Sequence, residues 1–97
     1  MGQFDGRVVV VTGGGIGLGK TFSRGFSAGG AKVVVADIAE EEAKTIAKEI
    51  DGLAVCVDVS SESDTQAMAK AAHDQYGRID VLINNASLFT ALLPMKP

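Results

Sequence analysis

The chain has 97 residues, 46% hydrophobic and 22% charged, with a net charge of −3. That length allows one domain with a single core, and that composition excludes a disordered chain. Lysines and arginines that never cluster exclude a nucleic-acid surface, and a lone cysteine excludes an internal disulfide or a Cys-rich zinc site.

In chain order, residues 7–12 are a short valine run, which predicts a strand buried on both faces. Residues 17–28 predict a helix with Leu18, Phe22 and Phe26 on one face. Gly25 on that helix is expected to permit close packing on the sheet, and Gly29-Gly30 to end it. Residues 31–37, "AKVVVAD", predict a second strand. The second helix follows over 38–50, with Ala39, Ala43, Ile46, Ala47 and Ile50 inward and its glutamates early, as the helix dipole favours. A turn at Asp51-Gly52 leads to a third strand over 53–59, with Cys56 expected to be a buried, inert thiol. Ser61 is the expected N-cap of a third helix, and Asp64 completes the pattern of a capping box. That helix should run to about Tyr76, with Ala67, Met68, Ala71 and Ala72 inward, and stop at Gly77. His73 falls on its polar side. Residues 79–86, "IDVLINNA", predict a fourth strand, and the remainder reads as loop.

The order βαβαβαβ implies a parallel α/β sheet with right-handed crossovers. In such a sheet, ligands bind beyond the carboxyl ends of the strands. The glycines of "TGGGIGLG" at 12–19 stand there, between the first strand and the first helix. Helix N-termini offer unpaired N–H groups and partial positive charge, which suit an anion. Glycine keeps side chains out of the way and permits the tight turn. The spacing is T-G-x-x-x-G-x-G on Thr12, Gly13, Gly17 and Gly19 rather than G-x-G-x-x-G. "GGIGLGKT" at 14–21 also fits a P-loop, with Lys20 and Thr21 in the phosphate and magnesium roles and Asp58 as a Walker-B acid. Asp37 favours the dinucleotide reading. It closes the second strand 24 positions after Gly13, where a carboxylate accepts the adenosine ribose hydroxyls. A P-loop has no use for an acid there.

Four stretches together resemble the short-chain dehydrogenase/reductase family: the glycine motif at 12–19, Asp37, "DVS" at 58–60 and "NNAS" at 84–87. The resemblance covers nearly the whole chain but only the family's N-terminal, cofactor-binding half. It implies half of a doubly wound Rossmann-type fold, three-layered, with strand order 3-2-1-4. It also implies NAD as cofactor. The loop of Gly13, Gly15, Ile16, Gly17, Leu18 and Gly19 would hold the pyrophosphate. Asp37 and Ile38 would hold the adenosine ribose. Asp58 would face the adenine amino group, with Val59 on the ring. Asn85, Ala86 and Ser87 would line the ribose region, while Asn84 ties strands together. NAD rather than NADP follows from the absence of a cation at positions 16 and 38, both isoleucine, and from the negative charge of Asp37.

Two departures from the family pattern stand out. Ser87 replaces a glycine. The family's chemistry resembles hydride transfer assisted by a Ser, a Tyr-x-x-x-Lys pair and a further Asn. After Ser87 the chain has no Ser, Tyr or Asn, and its single tyrosine, Tyr76, is followed four residues later by Asp80. The expected catalytic residues are therefore none, with no metal ligands. Residues 1–97 are expected to be a partial NAD-binding domain, inactive alone, whose full-length parent interconverts a secondary alcohol and a ketone. Two alternatives are a non-catalytic nucleotide-binding module and a fragment that binds nothing. Expected partners are NAD(H) and, in the parent, a small-molecule substrate and further copies of itself, with no nucleic acid and no membrane. No secretory signal or membrane span is legible, and Gly6 stands where a myristoylation signal wants Ser or Thr, so the expected location is cytoplasmic.

Overall fold

A computed structural model describes residues 2–85 of the chain. Four strands and three helices alternate: β1 (Val8–Thr12), α1 (Gly17–Ala28), β2 (Lys32–Asp37), α2 (Glu40–Ile50), β3 (Leu53–Cys56), α3 (Glu62–Tyr76) and β4 (Val81–Asn84). All pairings are parallel, in the order β3-β2-β1-β4. This is the expected Rossmann-type topology, and the tail beyond Asn85 lies outside the described residues.

Alternation along the strands divides the core into two layers. Val9, Val11, Val33 and Val35 face α1 and α2, meeting Ala43, Ile46 and Ala47. Val10, Val34 and Ala36 face the opposite way, meeting Val57, Met68 and Ala72. β1 is buried along its whole length and β2 from Val33 onward, because both have neighbours on each side and helices on each face.

Several side chains depart from expectation. Cys56 is exposed rather than buried, since β3 is an outer strand and its last residue points away from α3. Leu18 is 56% exposed, because the helix has only begun there and its first turn projects past the sheet; Ser23 takes the buried place on α1 instead. A Cβ on Gly25 would meet nothing within 4 Å among the described residues, so that glycine makes no close approach to the sheet. Ala67 is exposed, and α3 buries only Met68 and Ala72. β3 and β4 are shorter than their apolar runs. Val57 still donates to the Asp37 carbonyl at 3.1 Å and stays buried, but Val59 and Ile79 lie outside the ladder, exposed.

Candidate functional site

The site grows from the carboxyl end of β1. The Gly13 and Gly14 amides both turn to the Ala36 carbonyl, at 2.7 and 3.3 Å, which swings the chain out of the sheet. Gly13 adopts φ 66°, a region that penalises a Cβ. Gly19, one turn later, lies so close that a Cβ would run into the Gly13 carbonyl oxygen. These two positions explain why the loop can fold back on the helix it enters.

The mouth of that helix is bare. Ile16 is its N-cap, in extended conformation, with no capping side chain, and the first turn holds no acidic residue. By contrast, α2 begins with Glu40, Glu41 and Glu42, and α3 has the Ser61 cap plus Glu62 and Asp64. The first-turn amides and the positive end of the α1 dipole therefore meet no side-chain anion from the helix itself.

Asp37 stands beside this mouth. It is only 6% exposed. Its Oδ2 accepts the Gly15 amide and its Oδ1 the Ala39 amide, each at 3.0 Å. It thus joins the glycine loop to the start of α2. Next to it is a notch of about 110 Å³ lined by Gly13, Asp37, Ile38, Val57, Asp58 and Val59. The structure so brings five of the sequence-predicted residues around one space. Val57 was missed; its signal was its place as the last apolar residue before Asp58. The Asp58 carboxylate accepts the Ser60 hydroxyl at 2.7 Å and the Ser60 amide at 2.9 Å. These bonds, the hydroxyl first, hold its carboxyl below the ordinary aspartate range. The Asp58 amide donates to Asp64 at 3.0 Å. That bond engages the Asp64 carboxylate, while the Ser61 amide donates to the Asp58 carbonyl at 2.9 Å, so only the Ser61 half of the expected capping box forms.

The end of β4 closes the other side. The Thr12 hydroxyl donates toward the Ile83 carbonyl and Asn84 Oδ1, both at 3.2 Å, so Asn84 ties strands as expected. Asn85 Nδ2 donates to the Gly13 carbonyl at 3.3 Å, which binds β4 to the glycine loop directly. Ala86 and Ser87 lie outside the described residues. Ile16, Leu18, Ile38 and Val59, all predicted site residues, are exposed apolar side chains around the mouth. A second cleft of about 320 Å³ lies between α1 and α2, with Lys20, Arg24, Glu41 and Glu42 among its lining residues.

Other candidates fall away from the site. α1 begins at Gly17, so Lys20 and Thr21 lie at the end of its first turn; what speaks against a P-loop is Asp37, an acid it has no use for, on the Gly15 amide, and Asp58 bonded to Ser60 rather than to the loop. The Tyr76 phenol packs against the α3 layer, and burial first, then the Asp51 charge, raises its pKa, opposite to what an acid/base tyrosine needs. Among the described residues no group of three or more His, Cys, Asp or Glu is placed to hold a metal, and no helix is long and apolar enough to cross a membrane.

Comparisons with known proteins agree with this geometry. The family model for short chain dehydrogenase matches residues 7–96. Fluoren-9-ol dehydrogenase of Terrabacter sp. is 40% identical over 95% of this chain and 27% of its own length. Meso-2,3-butanediol dehydrogenase of Serratia marcescens is 42% identical over 92% of this chain and 37% of its own. Among solved structures, the 3-ketoacyl-(acyl-carrier-protein) reductase from Brucella melitensis, complexed with NADH, superposes with a TM-score of 0.81 at 39% identity, covering 82% of this chain and 34% of that one. A short chain dehydrogenase/reductase from Burkholderia phymatum, in complex with NAD, gives 0.79 at 33% identity, with 84% and 31% covered. The chain thus spans roughly a third of the length of these relatives. With nearly all of its residues matched and the glycine loop, Asp37, Asp58 and the paired asparagines in place, it belongs to the short chain dehydrogenase family.

Proposed function

We propose that this chain binds NAD(H) at the carboxyl end of its sheet and is the cofactor-binding part of an oxidoreductase. The observation that carries the reading is the buried Asp37 carboxylate hydrogen-bonded to the loop at the uncapped mouth of α1. The residues present fit such a cofactor. Among the described residues a Cβ built on Gly17 meets nothing within 4 Å, so no side chain or backbone fills that position at the helix mouth where a diphosphate would sit. Asp37 receives one backbone donor per oxygen, and a carboxylate offers about four acceptor sites, which leaves lone pairs for two ribose hydroxyls. The notch between Ile38 and Val59 suits a flat ring, with Asp58 at its rim for the amino group. Gly13, Gly15, Ile16, Gly17, Leu18 and Gly19 surround the diphosphate in this reading, and Asn85, Ala86 and Ser87 the second ribose.

NAD is favoured over NADP by local charge. Asp37 repels a 2′-phosphate, and Ile16 and Ile38 offer no cation. Arg24 in the neighbouring cleft is taken by Glu49 in a two-pronged pair at 2.6 and 2.8 Å. Once bound, NAD would accept or donate a hydride; these residues hold and orient it. The full protein's reaction is then the interconversion of a secondary alcohol and a ketone, as the names of the relatives indicate for those proteins. A small-molecule substrate, a homo-oligomeric assembly and a cytoplasmic location complete the proposal. Residues 1–97 act in it as a binding module, since neither a Tyr-x-x-x-Lys pair nor another tyrosine occurs in them.

Calorimetric titration of the chain with NADH, NADPH, magnesium-ATP and S-adenosylmethionine tests this. NADH should bind, and NADPH at least about tenfold more weakly, the equivalent of about 1.4 kcal/mol. Magnesium-dependent ATP binding without NADH binding would overturn it.

A further inference from the structure

Two consecutive peptide groups of the glycine loop are held by side chains from three parts of the fold, the Gly14–Gly15 group at both its carbonyl and its amide. Asn85, just after β4, donates to the Gly13 carbonyl at 3.3 Å. Ser23, on α1, donates to the Gly14 carbonyl at 3.1 Å. Asp37, at the end of β2, accepts the Gly15 amide at 3.0 Å. Asn85 and Asp37 already belong to the proposed nucleotide site. Ser23 does not: it is 0% exposed and can touch no ligand.

The Ser23 hydroxyl has one hydrogen and two carbonyls within reach, that of Gly14 and that of Gly19 at 3.0 Å. The Gly19 carbonyl lies four residues back in the same helix, where the backbone ladder supplies a donor anyway. What the side chain alone supplies is the tether to Gly14. The fit is close on both sides, since a Cβ on Gly14 would sit 2.9 Å from Ser23 Oγ and 2.8 Å from the Val11 carbonyl oxygen. The hydroxyl therefore fixes the Gly14 peptide between β1 and the second turn of α1, and with it the course of the chain into the helix mouth.

We infer that Ser23 is a positioning residue for the nucleotide, setting the glycine loop for a diphosphate before the ligand arrives. This rests on the dinucleotide reading proposed above. A loop ordered in advance loses less freedom on binding, so the tether strengthens ligands that use the loop. It does nothing for ligands that reach only the notch beside Asp58.

That difference separates positioning from plain structural support. Ser23→Ala and the near-isosteric Ser23→Cys, whose thiol is a weak donor, should each weaken NADH and ADP about five- to tenfold, the effect of one lost hydrogen bond. Adenine, which lacks the ribose that would reach Asp37, should bind with less than about twofold change when followed by NMR shift titration. In the nucleotide-free chain, amide exchange at Gly14 and Gly15 should quicken in both variants while that in the last turns of α1 stays as in the parent. Equal weakening of all three ligands, unchanged NADH affinity, or unchanged loop exchange would each overturn the inference. Failure of the parent chain to bind NADH or ADP would instead strike the dinucleotide reading, and the exchange measurement would still decide whether Ser23 holds the loop.

Discussion

In the proposed reading Asp37 does two jobs with one carboxylate, and the order in which they act matters. Before any ligand arrives it accepts from two backbone donors, the buried Gly15 amide and the half-buried Ala39 amide. Hydrogen bonds to a charged acceptor are among the stronger ones, about 1.5–3 kcal/mol each, and an amide left without its acceptor in a buried place adds cost. Asp37→Ala should therefore destabilise the nucleotide-free chain by about 2–4 kcal/mol, read as a lower urea midpoint, besides abolishing measurable NADH binding. A variant that loses NADH but unfolds at the parent midpoint would show the carboxylate to be a ligand group only. Gly19→Ala tests the other end of the loop. With the Gly13 carbonyl in the way of the new methyl, the loop must move off the helix, and overpacking of this kind costs about 1–3 kcal/mol. NADH affinity should fall with it by more than tenfold. Cys56 is a residue on which the apolar run misled. Its thiol lies on an outer strand, exposed, 3.9 Å from the Ile38 carbonyl. The native chain should release one equivalent of thionitrobenzoate from Ellman's reagent without denaturant, where a buried thiol would react only after unfolding.

At the scale of elements, what was legible was order, type and polarity. β1 and β2 are continuous apolar runs because both faces and both edges are covered, and their ends were read to within a residue. The Asp37 and glycine-loop positions followed, since each is fixed by where a central strand stops. The outer strands were overread for the same physical reason in reverse. Val57 packs into the core just past the assigned end of β3, while Val59 and Ile79 are apolar yet exposed, so an apolar run marks neither the end of a ladder nor what covers it. Helix faces near a ligand mouth were also misread, as Leu18 shows: apolar spacing marks a face, not what covers it. The tethers from Ser23, Asn85 and Asp80 were invisible, since no local pattern says which backbone group a distant polar side chain will meet. Asp80 joins β4 to β1 by accepting the Val8 amide at 2.8 Å, beside Arg78. Arg78 first, then that amide, hold its carboxyl below the ordinary value of 3.8. A depressed folded-state pKa contributes stability that is present above the unfolded value and lost as pH falls through the folded one. Asp58, Asp74 and Glu49 are shifted the same way, so the whole chain should lose stability on acidification below about pH 4. Asp80→Asn should start less stable at pH 7 and lose less than the parent between about pH 4 and pH 2. An identical acid limb for both proteins would show that the β1–β4 link carries no charge-dependent stability.

For the molecule as a whole, both outer strands pair on one side only among the described residues, and they differ in what else they carry. β3 ends beside the proposed adenine notch and is bridged to β2 and α2. β4 pairs with β1 on one side, and among the described residues no strand pairs with it on the other. Leu82, in the middle of β4, is 54% exposed, and Ile79 just before it is exposed as well. An outer strand with apolar side chains and unpaired ladder groups is a template for another chain. No Lys, Pro or bulge blunts it, since β4 reads Val-Leu-Ile-Asn. The 97-residue chain should therefore self-associate through β4, with apparent mass rising over the micromolar range in sedimentation velocity. Leu82→Lys places a charge at the centre of that edge without touching the glycine loop, Asp37 or Asn85. It should shift the chain toward monomer and leave NADH affinity within about twofold, because edge charges oppose edge pairing while the proposed nucleotide site stands at the end of the strands. A parent chain that sediments as a single monomer at every concentration would show the β4 edge to be covered. Loss of NADH binding in Leu82→Lys would show instead that pairing along this edge helps to hold the carboxyl end of β4, and with it the Asn85 tie to Gly13, in place.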